Sequence, residues 1–337
     1  MQRLTVPALL LACAALLGLA SQYGWMDLYV QTTIMFLFIN VIMSTSLNLI
    51  NGNMGEFSCG HAGFMCVGAY VSSIVAVALF TKSSYFGEPL LPASWAVLGM
   101  PLSLLAGGVA AALAGLLVAF PSFRTRGDYL AIITLAANYI ILSVFVNLDV
   151  IGGPRGFMGM KKVLNAMGEV ADIPWMMLLS FACTVFTVFI LRRFLSSSLG
   201  KGVMAVSQDE IAAEIMSVNT NRIKLVAFML SSGLAGLAGG LMAFVLGYVN
   251  PSAFGILKST EAMVMVYLGG MGSITGAILS AVLMTGLGEV LRPLGILKWV
   301  VIPLTLILLM QFRPEGIMGN RELSDIFPRL RRFYTFK

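Results

Sequence analysis

The sequence predicts an all-α, polytopic membrane protein of about ten transmembrane helices, some of them broken. Three observations predict this class. Of the 337 residues, 58% are hydrophobic and 11% are charged, whereas a soluble domain carries about 25% charged residues. Apolar runs long enough to cross a bilayer recur along the chain, and a helix satisfies its own backbone in lipid. The positive charges lie in short segments between the runs, a pattern typical of membrane topology and not of nucleic-acid binding.

The apolar runs predict the helices in chain order. The predicted spans are residues 4–20, 28–50, 61–80, 95–120, 129–146, 174–191, 225–246, 261–268, 274–287 and 297–310. The first run follows a basic residue and ends in small residues, so a cleavable signal peptide is the alternative to a retained first helix. The run 261–268 is too short to cross a bilayer alone. It forms either two spans or one broken pair with the run that follows it.

Lysine and arginine residues near the ends of the spans indicate which side faces the cytoplasm. The basic residues of the N-terminus, of segment 192–224 and of the C-terminal tail fall on one side, which predicts cytoplasmic N- and C-termini. Segment 147–173 carries three basic residues but falls on the external side, against the rule. The predicted organisation is one transmembrane domain of residues 1–320 and a basic cytoplasmic tail of residues 321–337.

Polar residues lie in and beside the second and third spans. Asn40 and Asn48 belong to the second span, and segment 51–60 (NGNMGEFSCG) breaks the helix and carries Glu56. His61 begins the third span. Lipid offers these groups no partners, so protein must bury them or water must reach them. Asn40, Asn48, Glu56 and His61 are therefore predicted to line a translocation path, with an interfacial or capping role as the alternative for Glu56 and His61.

Glycines recur at two places in the second half of the chain. In the seventh span they follow a four-residue spacing, which lets another helix approach the backbone closely. Between 261–268 and 274–287 they form a short cluster that predicts a hinge. The predicted packing and hinge positions are Gly236, Gly240, Gly269, Gly270 and Gly272.

The longest polar interruption is segment 191–224. Ser207 to Glu210 (SQDE) fits a capping box in which Ser207 is the N-cap and Glu210 reaches back to it. A short amphipathic helix of about ten residues follows, and its apolar side chains, from Ile211 to Met216, recur at helical spacing. The helix is either a solvated connector on the lipid surface or a docking helix for a cytoplasmic partner. The predicted docking residues are Ser207, Asp209, Glu210, Ile211, Ala212, Glu214 and Ile215.

The sequence argues against an enzyme. Gly200-Lys201 lacks the glycine spacing of a Walker A motif, so any ATP that drives this protein is bound and hydrolysed by another subunit. HExxH and GxSxG are absent. A single histidine and four cysteines without ligand spacing predict no metal site. Intramembrane ionisable residues are few, which disfavours a self-sufficient proton-coupled carrier.

Six segments occur in an order that is similar to a known family. They are GNMGEFSCGHAGFMCVGAY (52–70), GDYLAIITL (127–135), GGPRG (152–156), QDEIAAE (208–214), VYLGGMGS (266–273) and FRPEG (312–316). Each is weak alone, but the ordered set resembles the LivM-type permease subunits of branched-chain amino acid ABC importers over residues 28–320. Two positions depart from it: many relatives carry glutamine where Glu56 lies, and glycine where Ser217 lies.

The resemblance implies the larger type of ABC importer permease fold, in the bacterial inner membrane. It implies a subunit that forms half of the path for branched-chain, hydrophobic amino acids. Segment 207–218 would be the coupling helix that docks into a cytoplasmic ATPase. The implied partners are a second permease of the LivH type, two ATPase subunits that bind ATP and magnesium, and a periplasmic solute-binding protein. Permeases for urea or short-chain amides are close cousins and are the alternative, and a secondary carrier is the alternative from another class.

Overall fold

The computed structural model describes residues 5–81, 87–92, 95–123, 129–170, 173–313, 315–319, 321, 322 and 325. These residues form an all-α structure with one pair of very short strands, which confirms the predicted fold class. The helices are α1 (Thr5–Gln22), α2 (Leu28–Asn48), α3 (His61–Phe80), α4 (Ala96–Ser122), α5 (Tyr129–Val146), α6 (Met160–Val170), α7 (Trp175–Ser196), α8 (Ser198–Gln208), α9 (Glu210–Ile215), α10 (Thr220–Leu246), α11 (Ile256–Gly269), α12 (Ile274–Val290) and α13 (Lys298–Phe312). The strands are β1 (Phe157–Met158) and β2 (Tyr248–Val249).

Within the described residues, six helices are long and apolar enough to cross a membrane by length and composition. They are Leu28–Asn53, His61–Phe80, Ala96–Ser122, Tyr129–Val146, Trp175–Ser196 and Thr220–Leu246. Ala8–Gln22 and Ile274–Val290 are shorter apolar helices. Together with α11 and α13, they correspond in order to the predicted spans. The apolar run 261–268 belongs to a longer helix, α11, because residues from Ile256 onward extend it toward the N-terminus.

The strand pair shows which helix ends lie on the same side of the protein. Strand β1 follows α5, strand β2 follows α10, and the two pair antiparallel with Phe157 opposite Val249. The C-terminal ends of α5 and α10 therefore lie together. Helix α9 immediately precedes α10, so it lies at the other end of that helix. Residues 147–170 are thus on the side opposite α9, as the count of spans predicts.

Residues 147–170 include a helix. The sequence analysis gave segment 147–173 no helix, and this was wrong, because α6 occupies Met160–Val170. Met160, Val163 and Met167 recur at helical spacing and are buried. A helix of this length is too short to appear as an apolar run, since only one of its faces is apolar. It covers the ends of α3, α4 and α10 with that face.

Helix α10 is the centre of the packing and contacts α2, α3 and α4. Small residues permit the close approach. A Cβ added at Gly236 would lie 2.4 Å from the Cβ of Ala111 on α4, and one added at Gly239 would lie 1.9 Å from the carbonyl oxygen of Met65 on α3. Larger side chains at these positions would separate the helices, so the glycines set the distance between α10 and its neighbours.

Helices α11 and α12 form an antiparallel pair. The turn between them, residues 269–273, reverses the chain with Gly270 at φ 109° and Gly272 at φ 87°, a region that favours glycine. A Cβ at Gly269 would lie 2.4 Å from the carbonyl oxygen of Gly276, so the two helices begin to pack directly after the turn. The chain therefore enters α11 and leaves α12 at the end opposite this turn. The turn itself lies beside the C-terminus of α2.

Candidate functional site

The polar interruption between α7 and α10 folds into two helices. The sequence analysis predicted one helix of about ten residues that begins at Ser207, and this was wrong. Ser207 lies inside α8, where its hydroxyl donates to the carbonyl of Met204 at 2.9 Å. Asp209 is extended (φ −159°, ψ 112°) and separates the helices. Its carboxylate accepts from the backbone N–H of Ala212 at 3.0 Å, so Asp209 is the N-cap of the six-residue helix α9.

The boundary differs from the prediction for a physical reason. Serine and aspartate both cap helices well, and the two lie two residues apart. Val203 and Val206 are buried and continue the apolar face of α8 toward Ser207, so the preceding helix extends through the predicted cap. Glu210 does not return to a cap N–H as in a capping box; its carboxylate instead contacts Lys224.

Helix α9 is held at both ends. At its C-terminus the N–H of Val218 donates to the carbonyl of Ala213 at 3.0 Å, across Ser217 in the left-handed region (φ 63°). The hydroxyl of Thr220 donates to the carboxylate of Glu214 at 2.9 Å, which ties α9 to the first residue of α10. A helix this short is unstable alone, and these contacts fix its position.

The apolar face of α9 points away from the protein. Ile211, Ile215 and Met216 are 67%, 77% and 78% exposed, whereas Ala213 is buried. Helices that lie on lipid surfaces carry lysine and arginine on the polar face, but α9 and its N-cap carry Asp209, Glu210 and Glu214 and no basic residue. An exposed apolar face with acidic flanks favours a protein partner over anionic lipid.

A buried lysine joins α9 to the broken segment after α2. The Nζ atom of Lys224 lies 2.7 Å from Oε1 of Glu56 and 2.9 Å from Oε1 of Glu210. The Lys224 side chain is 7% exposed, against 22% for Glu56 and 44% for Glu210. The ring of Phe123 lies beneath the ammonium at 5.9 Å. The cation therefore bridges two carboxylates that belong to different parts of the chain.

The sequence analysis counted Lys224 only among the basic residues of segment 192–224 and so missed this bridge. The position of Lys224 among apolar residues at helical spacing was a signal for this bridge. Ile223, Ala227, Phe228 and Ser231 are buried on the face of α10 that also carries Lys224. A lysine on an apolar helix face close to its start predicts a buried cation that requires carboxylate partners.

The break after α2 is a turn of π-helix, residues 49–53, followed by an irregular stretch to α3. Gly55 has φ 73°, and a Cβ there would lie 3.3 Å from the Cβ of Ser207, so the irregular stretch packs on the end of α8. The side chain of Asn51 accepts from the N–H of Ser58 at 3.2 Å. The backbone that the bilayer could not satisfy is thus buried in protein, as the irregular conformation requires.

The same break is bound to the turn between α11 and α12. The side-chain oxygen of Asn48 accepts from the N–H of Gly272 at 3.0 Å, and its amide donates to the carbonyl of Ser273 at 3.0 Å. The amide of Asn53 donates to the carbonyl of Gly272 at 3.2 Å. One predicted path residue, Asn48, and one predicted hinge residue, Gly272, are therefore in direct contact.

The C-terminal segment also binds this turn. The N–H of Ile317 donates to the carbonyl of Leu268 at 2.9 Å, and the carboxylate of Glu322 accepts from the N–H of Ile274 at 2.8 Å, at the start of α12. A carboxylate at a helix N-terminus is stabilised by the helix dipole. The predicted tail, residues 321–337, lies outside the described residues except for positions 321, 322 and 325.

The two other predicted path residues, Asn40 and His61, lie between helices of the same chain, where Asn40 is half-buried and His61 is buried. The amide of Asn40 donates to the hydroxyl of Thr285 on α12 at 3.0 Å. Ring atom Nε2 of His61 lies 2.9 Å from the hydroxyl of Ser46 on α2. Within the described residues, no hydrogen-bond partner exists for Nδ1 of His61 or for the side-chain amide of Asn138. A role of Asn40, Asn48, Glu56 and His61 in a translocation path stays a prediction.

The described residues of this region include no group of side chains that could bind a metal ion. Across the part of the chain that the structure describes, no three or more His, Cys, Asp or Glu side chains are grouped to hold a metal ion. The polar groups at the break are instead amides, hydroxyls and one ion-pair network. In this arrangement the side-chain amides fix backbone segments, as the bonds from Asn48 and Asn53 to Gly272 and Ser273 show.

Comparisons with known proteins agree with this arrangement. The profile of a family described as "Branched-chain amino acid transport system / permease component" matches residues 29–310. The chain is 30% identical to the high-affinity branched-chain amino acid transport system permease protein LivM of Salmonella typhimurium, over 94% of this chain and 75% of that protein. Its identity to LivM of Escherichia coli K12 is also 30%, with the same coverage. It is 25% identical to LivH of Escherichia coli K12, over 85% of this chain and 92% of that protein. No solved structure matches the chain significantly.

Proposed function

Since the chain belongs to the family of branched-chain amino acid transport permease components, we propose that it is a permease subunit of an ATP-binding cassette importer for these amino acids. It forms half of a path through the bacterial inner membrane, and a second permease of the LivH type forms the other half. Both termini face the cytoplasm. The chain binds no cofactor itself, and two cytoplasmic ATPase subunits bind the ATP and magnesium. A periplasmic protein delivers the amino acid on the opposite side.

One observation supports the coupling role above others: the exposed apolar face of α9. Ile211, Ile215 and Met216 are exposed on a helix that is fixed at both ends and whose one buried residue is Ala213. In water such a face is stabilised by burial against another surface. We place an ATPase subunit on it, with the predicted docking residues Asp209, Ala212 and Glu214 around the contact. When the ATPases close on ATP, they move α9, and α8 and α10 move with it.

The test is capture of the ATPase subunits by the purified chain. Ile215→Asp places a charge in the proposed contact and leaves the interior of the protein unchanged. We expect the variant to insert into the membrane normally, to lose the copurifying ATPases and to lose leucine uptake in reconstituted vesicles. Met158→Asp is the matched control, because Met158 is exposed on the side opposite α9 and ATPase capture should be unaffected.

Three outcomes would contradict the proposal. The first is ATPase capture by Ile215→Asp at the level of the unmodified chain. The second is uptake of leucine by vesicles that contain this chain alone, which is the behaviour of a secondary carrier. The third is an assembled complex that transports urea or a short-chain amide and not leucine, which retains the coupling role and replaces the substrate.

A further inference from the structure

The ion pairs of Lys224 connect α9 with the irregular stretch after α2. Glu210 is the first residue of α9, the proposed docking helix. Glu56 lies in the irregular stretch between the π-helical turn and α3. These carboxylates are far apart in sequence, and Lys224 Nζ is within 3 Å of both, at 2.7 and 2.9 Å. From this juxtaposition we infer that Lys224 is a positioning residue that transmits the movement of α9 to the broken segment 49–60. The inference rests on the proposed docking role of α9.

The electrostatics make this bridge resistant to separation. Transfer of an ammonium group out of water is costly, and partners of opposite charge offset that cost. The two carboxylates repel each other without the cation between them. Movement of α9 away from segment 49–60 would leave a 7% exposed lysine with one partner. Joint movement of the two elements retains both ion pairs and is therefore favoured.

A lysine with a purely structural role would need only one carboxylate partner, whereas Lys224 has two. One carboxylate suffices to neutralise the ammonium, as the Lys258–Glu261 pair at 2.9 Å shows elsewhere in the chain. Both members of that pair belong to one helix, three residues apart. The partners of Lys224 instead belong to two other elements, neither of which is in α10. The additional carboxylate is the feature that links the elements.

Contacts beyond Glu56 extend the connection toward the middle of the protein. The irregular stretch packs against Ser207 through Gly55, and the π-helical turn continues α2 without interruption. At the end of α2, Asn48 and Asn53 bind the turn at Gly272. A displacement of α9 therefore reaches α2 and the α11–α12 turn through one ion-pair bridge and a few hydrogen bonds.

The test separates assembly from coupling. The complete importer is reconstituted with its ATPases and binding protein, and two quantities are measured: the amount of captured ATPase and the amino acid transported per ATP hydrolysed. We expect Lys224→Met to retain the captured ATPase and to transport about tenfold less per ATP, within the range usual for coupled sites. Lys224→Arg keeps the charge and two-sided hydrogen bonding, and it should recover most of the coupling. Lys258→Met is the matched control and should match the unmodified complex.

The remaining outcomes contradict either the proposed function or the role of Lys224. Failure of the unmodified chain to capture ATPase would contradict the proposed function itself. Normal transport per ATP in an assembled Lys224→Met complex would overturn the inference, and so would loss of ATPase capture in that variant alone, because Lys224 would then only fix the pose of α9. If Lys224→Met does not fold, Glu56→Ala and Glu56→Gln replace it. The alanine variant should lose coupling, and the glutamine variant, which keeps an acceptor oxygen, should retain more of it. Equal, normal coupling in both would overturn the inference.

Discussion

Two short amphipathic helices, α6 and α9, connect membrane spans on opposite sides of the protein, and they differ in what covers their apolar faces. Helix α6 buries Met160, Val163 and Met167 against its own chain, whereas α9 exposes Ile211 and Ile215. In both helices the apolar residues recur at helical spacing, so the periodicity of the sequence alone does not distinguish the two faces. The difference shows that α6 is a structural cap on one end of the helix bundle. Helix α9 carries an apolar face that the described residues of its own chain leave uncovered.

The largest expected effect is the loss of stability when a charge is placed on the apolar face of α6, compared with the same change on α9. Val163→Asp places a carboxylate in a fully buried position of α6. We expect it to lower the free energy of unfolding by about 4 kcal/mol or more, because the charge has no partner there. Ile215→Asp on α9 should change the same quantity by less than about 0.5 kcal/mol. Thermal unfolding of the purified chains in detergent measures both, and equal destabilisation by the two variants would remove the distinction between the helices.

A smaller change in stability is expected at Ser217, the residue in the left-handed region after α9. Ser217 adopts φ 63°, a conformation that is strained for a residue with a side chain. We expect Ser217→Gly to raise the free energy of unfolding by less than about 1 kcal/mol, because relief of strain exceeds the entropy cost of the glycine. The matched control, Ala205→Gly in the exposed face of α8, should lower it by about 1 kcal/mol. A loss of stability in both variants would show that Ser217 is not strained in the left-handed region.

The long apolar helices were predictable from the sequence, because the lipid around them demands long apolar runs. Lipid requires about 20 consecutive apolar residues, so His61–Phe80 and Tyr129–Val146 have the predicted bounds. The family could also be predicted, because its segments occur in order. Helix α6 was missed because it is short and only one of its faces is apolar. The start of α9 was not predictable, because it depends on tertiary contacts: buried valines extend α8 through Ser207, and Asp209 caps α9 in its place.

The candidate site was predictable in its parts and not in its connections. Glu56 and Glu210 were each identified, one as a path residue and one as a docking residue. Their common partner, Lys224, was not, because Glu56 precedes Lys224 by 168 positions in the sequence. Ion pairs over such separations depend on how the helices pack. The contact between Asn48 and Gly272 has the same origin, at a separation of 224 positions.

In the proposed importer, an ATPase subunit covers the exposed face of α9. Reaction of Ile215→Cys with a membrane-impermeant maleimide in inverted vesicles measures this directly, with Met158→Cys as the control on the other side. We expect rapid labelling of position 215 in vesicles that contain the permease subunits alone, and strong protection when the ATPases are bound. The control should label only when the opposite side is exposed. Equal labelling of position 215 with and without bound ATPases would contradict the proposed contact between α9 and the ATPase.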